Sequence, residues 1–224
     1  SALAFDDHSI EPQALDVAGI DAVVDAAAAA ARRALDAGFE LIEIHGAHGY
    51  LLHEFLSPIS NRRDDDYGGS FDNRIRMLKR VIAAVRDVWP ERLPLGLRIS
   101  ATDWADGGWD LAPSVVLASR LKALGIDLID VSSGGLVPKA RIPVGKGYQV
   151  PLARRIRDEV GIMTGAVGLI TEAQYANEIV TGGDADLVFL ARELLREPYW
   201  ALKAEQELGG EPTWPISYGY AVKR

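Results

Sequence analysis

The 224-residue sequence predicts an α/β protein built on a parallel sheet of five βα units. Three observations predict it. Short apolar runs of strand length alternate with helix-forming stretches, the pattern of βα units. The chemically unusual residues stand just after the C-terminal ends of those runs, where α/β folds place their sites. No GxGxxG follows any run, so the dinucleotide-binding open sheet has no support. Five strands fit either an open doubly wound sheet or an incomplete (β/α)8 barrel.

Residues 1–18 have no steady period and read as an ordered loop, or as a segment continued from something earlier in a chain. Gly19 to Ala37 is rich in helix formers, including an alanine tract from Ala26 to Ala31, and stops at Gly38, a good residue after a helix end. Phe39 to Ile44 reads as a strand whose Glu40 and Glu43 face either a filled interior or a neighbouring helix. A long connection, 46–69, follows, and Ser70 or Asp72 can cap the helix running to about Val88. Pro94 to Ile99 is the next strand, with Arg98 near its end. Ala112 to Leu124 is helical and closed by Gly125. Asp127 to Val131 is a strand running into Ser132-Ser133-Gly134-Gly135. After an irregular loop with Pro138, Pro143, Gly145 and Gly147, Val150 to Val160 is helical. Ile162-Met163-Thr164 begins a strand that ends in Gly165-Ala166-Val167-Gly168. Thr171 to Val180 is a helix and Asp186 to Ala191 a strand, with Arg192 just past it. Pro198 opens a helix to about Leu208, and Pro212 to Arg224 is an aromatic tail. The whole chain, 1–224, reads as one domain.

A formal charge of −8 argues against a nucleic-acid or anionic-membrane partner. No run approaches the roughly 18 apolar residues of a membrane span. Zero cysteines exclude disulfides, cysteine-held zinc and an iron–sulfur cluster ligated by this chain. With no signal-peptide layout at its start, the chain reads as cytoplasmic.

Three of the four histidines, His45, His48 and His53, fall within nine residues, and Tyr50 stands two places after the second. Two imidazoles and a phenol at one strand mouth can hold an oxygen that gains negative charge and supply a proton beside it. A metal site is the rival reading, and His53 or Glu54 would complete its ligands. Arg98 closes an apolar strand and needs either an anionic partner in the mouth or an ion pair with a nearby carboxylate. Gly165 to Gly168 with Arg192 can bind phosphate through backbone N–H groups and a guanidinium, or form a plain turn. The Arg62–Asp66 cluster reads as solvated surface.

The run His45-Gly-Ala-His48-Gly-Tyr50-Leu-Leu-His-Glu-Phe-Leu-Ser57-Pro58 closely resembles the Old Yellow Enzyme family. So does Asn61-Arg-Arg63-Asp-Asp65-Asp-Tyr67-Gly68-Gly69-Ser70-Phe-Asp-Asn73-Arg74, which matches the family's N-x-R-x-D-x-Y-G-G-S-x-x-N-R pattern at each fixed position. The likeness continues through Leu97-Arg98-Ile-Ser, Ile129-Asp-Val-Ser-Ser133-Gly134, Thr164-Gly-Ala-Val-Gly168 and Ala191-Arg192-Glu-Leu-Leu. His48 favours the bacterial branch of thermophilic-like and xenobiotic reductases.

The resemblance implies an incomplete (β/α)8 TIM barrel holding strands four to eight, with the first three units absent from this chain or supplied by another polypeptide. It implies FMN as cofactor, NAD(P)H as reductant and activated alkenes as small-molecule substrates. By that resemblance His45 and His48 donate hydrogen bonds to the substrate oxygen and Tyr50 donates a proton. Arg98 sits against the flavin edge, and Gly168, Ala191 and Arg192 hold the phosphate. Ala191 stands where the family usually has glycine. The bacterial branch often ends in a tail that reaches a neighbouring subunit. Tyr218-Gly219-Tyr220 is the comparable stretch, and a homo-oligomer is expected. Two alternatives stand beside this reading: a metal-dependent barrel hydrolase using His45, His48 and His53, and a non-catalytic fragment that acts as an assembly partner.

Overall fold

The computed structural model describes residues 1–222, so the last two positions of the aromatic tail lie outside the described residues. Helix α1 (Val17–Asp36) starts at Asp16, whose carboxylate accepts the Gly19 N–H at 2.7 Å, and ends before Gly38, which takes φ +85°. Strand β1 is Ile42–Gly46. It begins later than the apolar run suggests, because Phe39 and Leu41 stay exposed after the helix, and it carries His45 inside the strand. The 46–69 connection contains a short helix, α2 (Leu51–Leu56). The expected 70–88 helix is broken at Ile75 into α3 (Phe71–Arg74), capped by Ser70, and α4 (Arg76–Arg86).

Then follow β2 (Leu95–Ser100), α5 (Leu111–Lys122), β3 (Leu128–Ser132), α6 (Val150–Val160), β4 (Met163–Val167) and α7 (Ala173–Thr181). The last strand, β5 (Leu187–Phe189), is shorter than the sequence suggests; a short helix, α8 (Arg192–Arg196), follows it, and the helix expected from Pro198 is α9 (Trp200–Glu207). One further turn, α10, is Gly219–Val222. No helix among the described residues is long and apolar enough to cross a membrane.

The sheet order is β1-β2-β3-β4-β5, all parallel. A doubly wound sheet reverses its strand order at a switch point, and this one does not. Strand pleating sends alternate residues to opposite faces. Leu97, Ile99, Ile129, Val131 and Ala166 point to the helical face and are fully buried. The register places Glu43, Gly96, Leu128 and Met163 at one level of the other face, and His45, Arg98, Asp130, Gly165 and Leu187 at the next. Met163 is 51% and Leu187 42% exposed there. One face covered by helices and the other open is the geometry of an incomplete (β/α)8 barrel, with the second face lining the interior.

Part of the Arg62–Asp66 cluster is structural rather than solvated. Arg63 donates to the Leu15 carbonyl at 2.7 Å, clasps Asp65 through Nε and Nη2, and lies over the Phe55 ring. A Cβ on Gly68 would lie 2.1 Å from the Arg63 carbonyl oxygen, so this loop closes only with glycine there.

Candidate active site

The chain leaves β1 through a tight turn. The Tyr50 N–H donates to the Ala47 carbonyl at 3.1 Å, and His48 and Gly49 between them take φ +59° and +75°. Two central residues at positive φ make this a type I′ turn, in which glycine suits the second position. Gly49 is required for a second reason: a Cβ there would lie 2.4 Å from the Gly135 carbonyl oxygen. Gly135, at φ +90°, would in turn place a Cβ 2.6 Å from the His48 Cα. The two loops meet backbone to backbone.

This turn gathers the three rings the sequence singles out. The His45 ring centroid lies 5.3 Å from that of His48 and 5.3 Å from that of Tyr50. Tyr50, which begins α2, is 65% exposed and faces the mouth. The His48 N–H donates to Ser100 Oγ at 2.9 Å, and that hydroxyl donates to the Gly134 carbonyl. His48 Nε2 lies 2.7 Å from Ser132 Oγ. Burial, reinforced by the Arg98 charge, lowers the pKa of both imidazoles, and that of His48 falls to about 4. Both rings are therefore neutral near pH 7.

Arg98 is the cross-strand neighbour of His45 on one side and of Asp130 on the other. Its Nε lies 3.0 Å from Asp130 Oδ2, so a carboxylate on the next strand partners Arg98 on this face of the sheet. Neither group is fully satisfied: Arg98 Nε and Asp130 Oδ1 are buried without a well-formed hydrogen bond. Burial drives the Asp130 pKa up to about 7, against the lowering effect of Arg98 and with help from Glu43. Glu43 is also raised by burial, partly offset by Arg98. The sequence reading missed Asp130, although the signal was present. Leu97-Arg98-Ile99-Ser100 and Ile129-Asp130-Val131-Ser132 repeat one spacing on adjacent strands, and the register pairs Arg98 with Asp130 and Ser100 with Ser132.

Gly168, Ala191 and Arg192, widely separated in sequence, line one cleft of about 240 Å³ with Ser132, Gln149 and Phe189. Gly168 at φ +124° and Leu169 at +51° turn the backbone out of β4. A Cβ on Gly168 would lie 2.8 Å from the end of the Gln149 side chain, and the positive φ itself favours glycine there. Arg196 is paired with Glu193, whereas Arg192 has no hydrogen-bonded or ionic partner among the described residues. A line of polar links joins this cleft to the histidine turn. His48 meets Ser132, Ser132 and Ser133 hydroxyls reach Gln149 Oε1 at 3.4 and 2.5 Å, and Gln149 Nε2 donates to the Val167 carbonyl. Ser132 and Gln149 are site residues that the sequence reading did not pick out.

His53 does not join the cluster. It is fully buried, its Nδ1 accepts the Gly49 N–H at 2.9 Å, and its Nε2 faces Asp103 at 2.9 Å. With both nitrogens engaged, it cannot be the third ligand the metal-hydrolase reading needs. Among the described residues no group of three or more His, Asp or Glu is arranged to hold a metal ion.

The arrangement fits a flavin mononucleotide. The partnerless Arg192 and the turned-out backbone at Gly168 suit a phosphate. The hydroxyls and amide of Ser132, Ser133 and Gln149 suit a polyol. Arg98, with its Nε imperfectly satisfied, suits the electron-rich edge of the ring.

The family model for NADH:flavin oxidoreductase / NADH oxidase matches residues 4–211. An NADPH dehydrogenase of Geobacillus sp. (strain WCH70) is 53% identical over 218 residues, 97% of this chain and 63% of that protein. The NADPH dehydrogenase of Bacillus subtilis (strain 168) is 48% identical over 97% of this chain and 64% of its own length. The chain thus spans somewhat under two thirds of these relatives. Among solved structures, morphinone reductase in complex with tetrahydroNAD superposes with a TM-score of 0.71 at 27% identity, covering 92% of this chain and 54% of that one. A 2-naphthoyl-CoA reductase superposes with a TM-score of 0.85, covering 94% of this chain and 32% of that one. At 24% identity it speaks for the fold alone.

Proposed function

The chain belongs to the NADH:flavin oxidoreductase / NADH oxidase family, as its Old Yellow Enzyme motifs imply, and from that premise we propose that it forms β/α units four to eight of an FMN-dependent ene-reductase. The reaction is reduction of activated C=C bonds in α,β-unsaturated carbonyl or nitro compounds at the expense of NAD(P)H. The barrel is completed by three further βα units, in a longer chain or from another polypeptide. The observation that carries this reading is the cluster of two imidazoles and a phenol where β1 runs into one pinned turn, beside a cleft whose Arg192 has no partner among the described residues.

The chemistry that bound FMN supplies is acceptance of a hydride from a reduced nicotinamide and its delivery to an electron-poor carbon. His45 and His48 donate N–H groups to the carbonyl or nitro oxygen, which gains negative charge as hydride adds to the β-carbon. Because both imidazoles are neutral, they stabilise that charge without surrendering a proton. This role requires the Ser132 hydroxyl to donate to His48 Nε2 rather than to Gln149 Oε1, which leaves the ring proton on Nδ1 for the substrate. Tyr50 holds at its hydroxyl the proton for the α-carbon, so hydride and proton together saturate the double bond. Arg98 would face the ring's electron-rich edge, and Gly168, Ala191 and Arg192 would hold the phosphate.

A cytoplasmic setting, supported by the absence of cysteine, and a homo-oligomeric state belong to the same reading. The latter draws on the exposed Ile216 and Tyr220 of the tail and is checked by light scattering. The deciding experiment is Tyr50→Phe in the holoenzyme, with the two half-reactions timed separately. Flavin reduction by NADPH should be kept while alkene reduction slows by about 10²-fold or more. Equal loss in both halves contradicts the assignment of Tyr50.

A further inference from the structure

His53 and Asp103 are both fully buried and touch nothing in the mouth, yet they stand directly behind the turn that carries His48. Asp103 Oδ2 accepts the Ser57 hydroxyl at 2.6 Å and the Trp109 N–H at 2.7 Å, which fixes the carboxylate. Its Oδ1 faces His53 Nε2 at 2.9 Å, in a contact short of ideal hydrogen-bond geometry. The Gly49 N–H can only donate, so His53 Nδ1 must present a lone pair and the ring proton must stand on Nε2, toward the carboxylate. The carboxylate selects the tautomer, and the tautomer selects the position of one backbone N–H.

That N–H belongs to a turn whose backbone is strained. A non-glycine residue disfavours the left-handed region, and His48 sits there at φ +59°. We propose that the buried Asp103–His53 pair is a positioning device that locks the His48–Gly49 turn and so aims the His48 imidazole at the substrate oxygen. The inference rests on the role assigned above to His48. It gives the third histidine of the motif a function distinct from the other two. His53 is a positioning residue, and Asp103 and Ser57 act through it.

Two variants of the FMN-loaded holoenzyme separate aiming from mere support. His53→Gln keeps an amide within reach of Asp103 and loses the acceptor beside Gly49. His53→Asn keeps a carbonyl oxygen near the Nδ1 position and loses the reach to Asp103. In His53→Gln the Gly49 amide should exchange with solvent at least ~10-fold faster, the His48 ring ¹⁵N signals should shift, and alkene reduction should fall about 10-fold. Flavin reduction by NADPH should not change. His53→Asn should melt at a lower temperature yet keep the Gly49 protection and the His48 signals. The proposal is overturned if His53→Gln leaves both as in the parent, or if His53→Asn loses both. Should either variant not fold, the unaltered holoenzyme decides: ¹⁵N spectra must show His53 protonated at Nε2, and protonation at Nδ1 sinks the idea. A His48→Ala control separates the two readings. If that change spares alkene reduction, the proposed role of His48 fails, while the Gly49 and His48 spectral tests still judge the positioning claim.

Discussion

The two ends of the candidate site are built differently. The histidine turn is held from three sides by groups this chain supplies: the Ala47 carbonyl, the Ser100 hydroxyl and the buried His53 ring. The phosphate corner has little of this. Its Ala191 starts α8 without a side-chain cap, β5 beside it is three residues long, and the Arg192 guanidinium has no partner among the described residues. Both lie at an edge of the sheet, so edge position is not the cause. The difference is that the turn is held by its own Ala47 carbonyl, a hydroxyl at the end of β2 and a buried ring on α2, whereas the corner presents its groups to an open cleft. The turn is organised before any ligand arrives; the corner is arranged so that an anion completes it.

Gly49→Ala should break that contrast most severely. The added methyl meets the Gly135 carbonyl at 2.4 Å and sits at φ +75°, against main-chain atoms of Gly135 and Leu136. The expected loss is on the order of 3 kcal/mol or more of folding stability, read from urea denaturation. Parent-like stability would mean the turn is no more rigid than the corner. Arg192→Ala should do the reverse, leaving the urea midpoint in place while FMN affinity falls by about 10- to 100-fold, as loss of a charge-assisted hydrogen bond predicts. Fluorescence titration of FMN measures it, and unchanged affinity would remove Arg192 from the corner.

A subtler expectation concerns pH. The folded pKa of His48, about 4, lies below its unfolded value, so the unfolded chain binds more protons between them. Stability tied to His48 is present above about pH 6.5 and is lost as pH falls toward 4. Asp130 has the opposite sign: its folded pKa, about 7, lies above the unfolded value, so its contribution is present at acid pH and is lost as pH rises through 7. NMR titration should find the His48 ring neutral from pH 6 to 8, and a midpoint near the ordinary histidine value of about 6.5 would contradict the neutral-donor reading. The smallest effect belongs to Ala191→Gly, which should tighten FMN by no more than about two- to threefold, the scale of an exposed substitution. A larger gain would show that the methyl crowds the phosphate.

Much of this was legible in the sequence because local chemistry dominated. Helix α6 lies where its pattern places it, Val150–Val160, and Gly168, Ala191 and Arg192 do share one cleft. Legibility failed where long-range contacts decide. Phe39 looks like the start of a strand, but β1 pairs only with β2, and that ladder begins at Ile42. Ile75 reads as mid-helix, yet it is fully buried and ends one helix while starting the next. His53 looks like a third member of the histidine cluster. Only the fold shows it turned away from the mouth toward Asp103, fifty residues on in the chain.

The facing glycines, Gly49 and Gly135, have a consequence for how such a site can vary over generations. Each blocks a side chain on the other with main-chain atoms, which no second substitution can remove. The pair is therefore inherited as a unit, with no neutral route by which one partner drifts and the other compensates. Laboratory libraries that reshape the substrate mouth through the loop after β3 should begin beyond Gly135, since variants at that position are expected to be purged before selection for a new substrate begins.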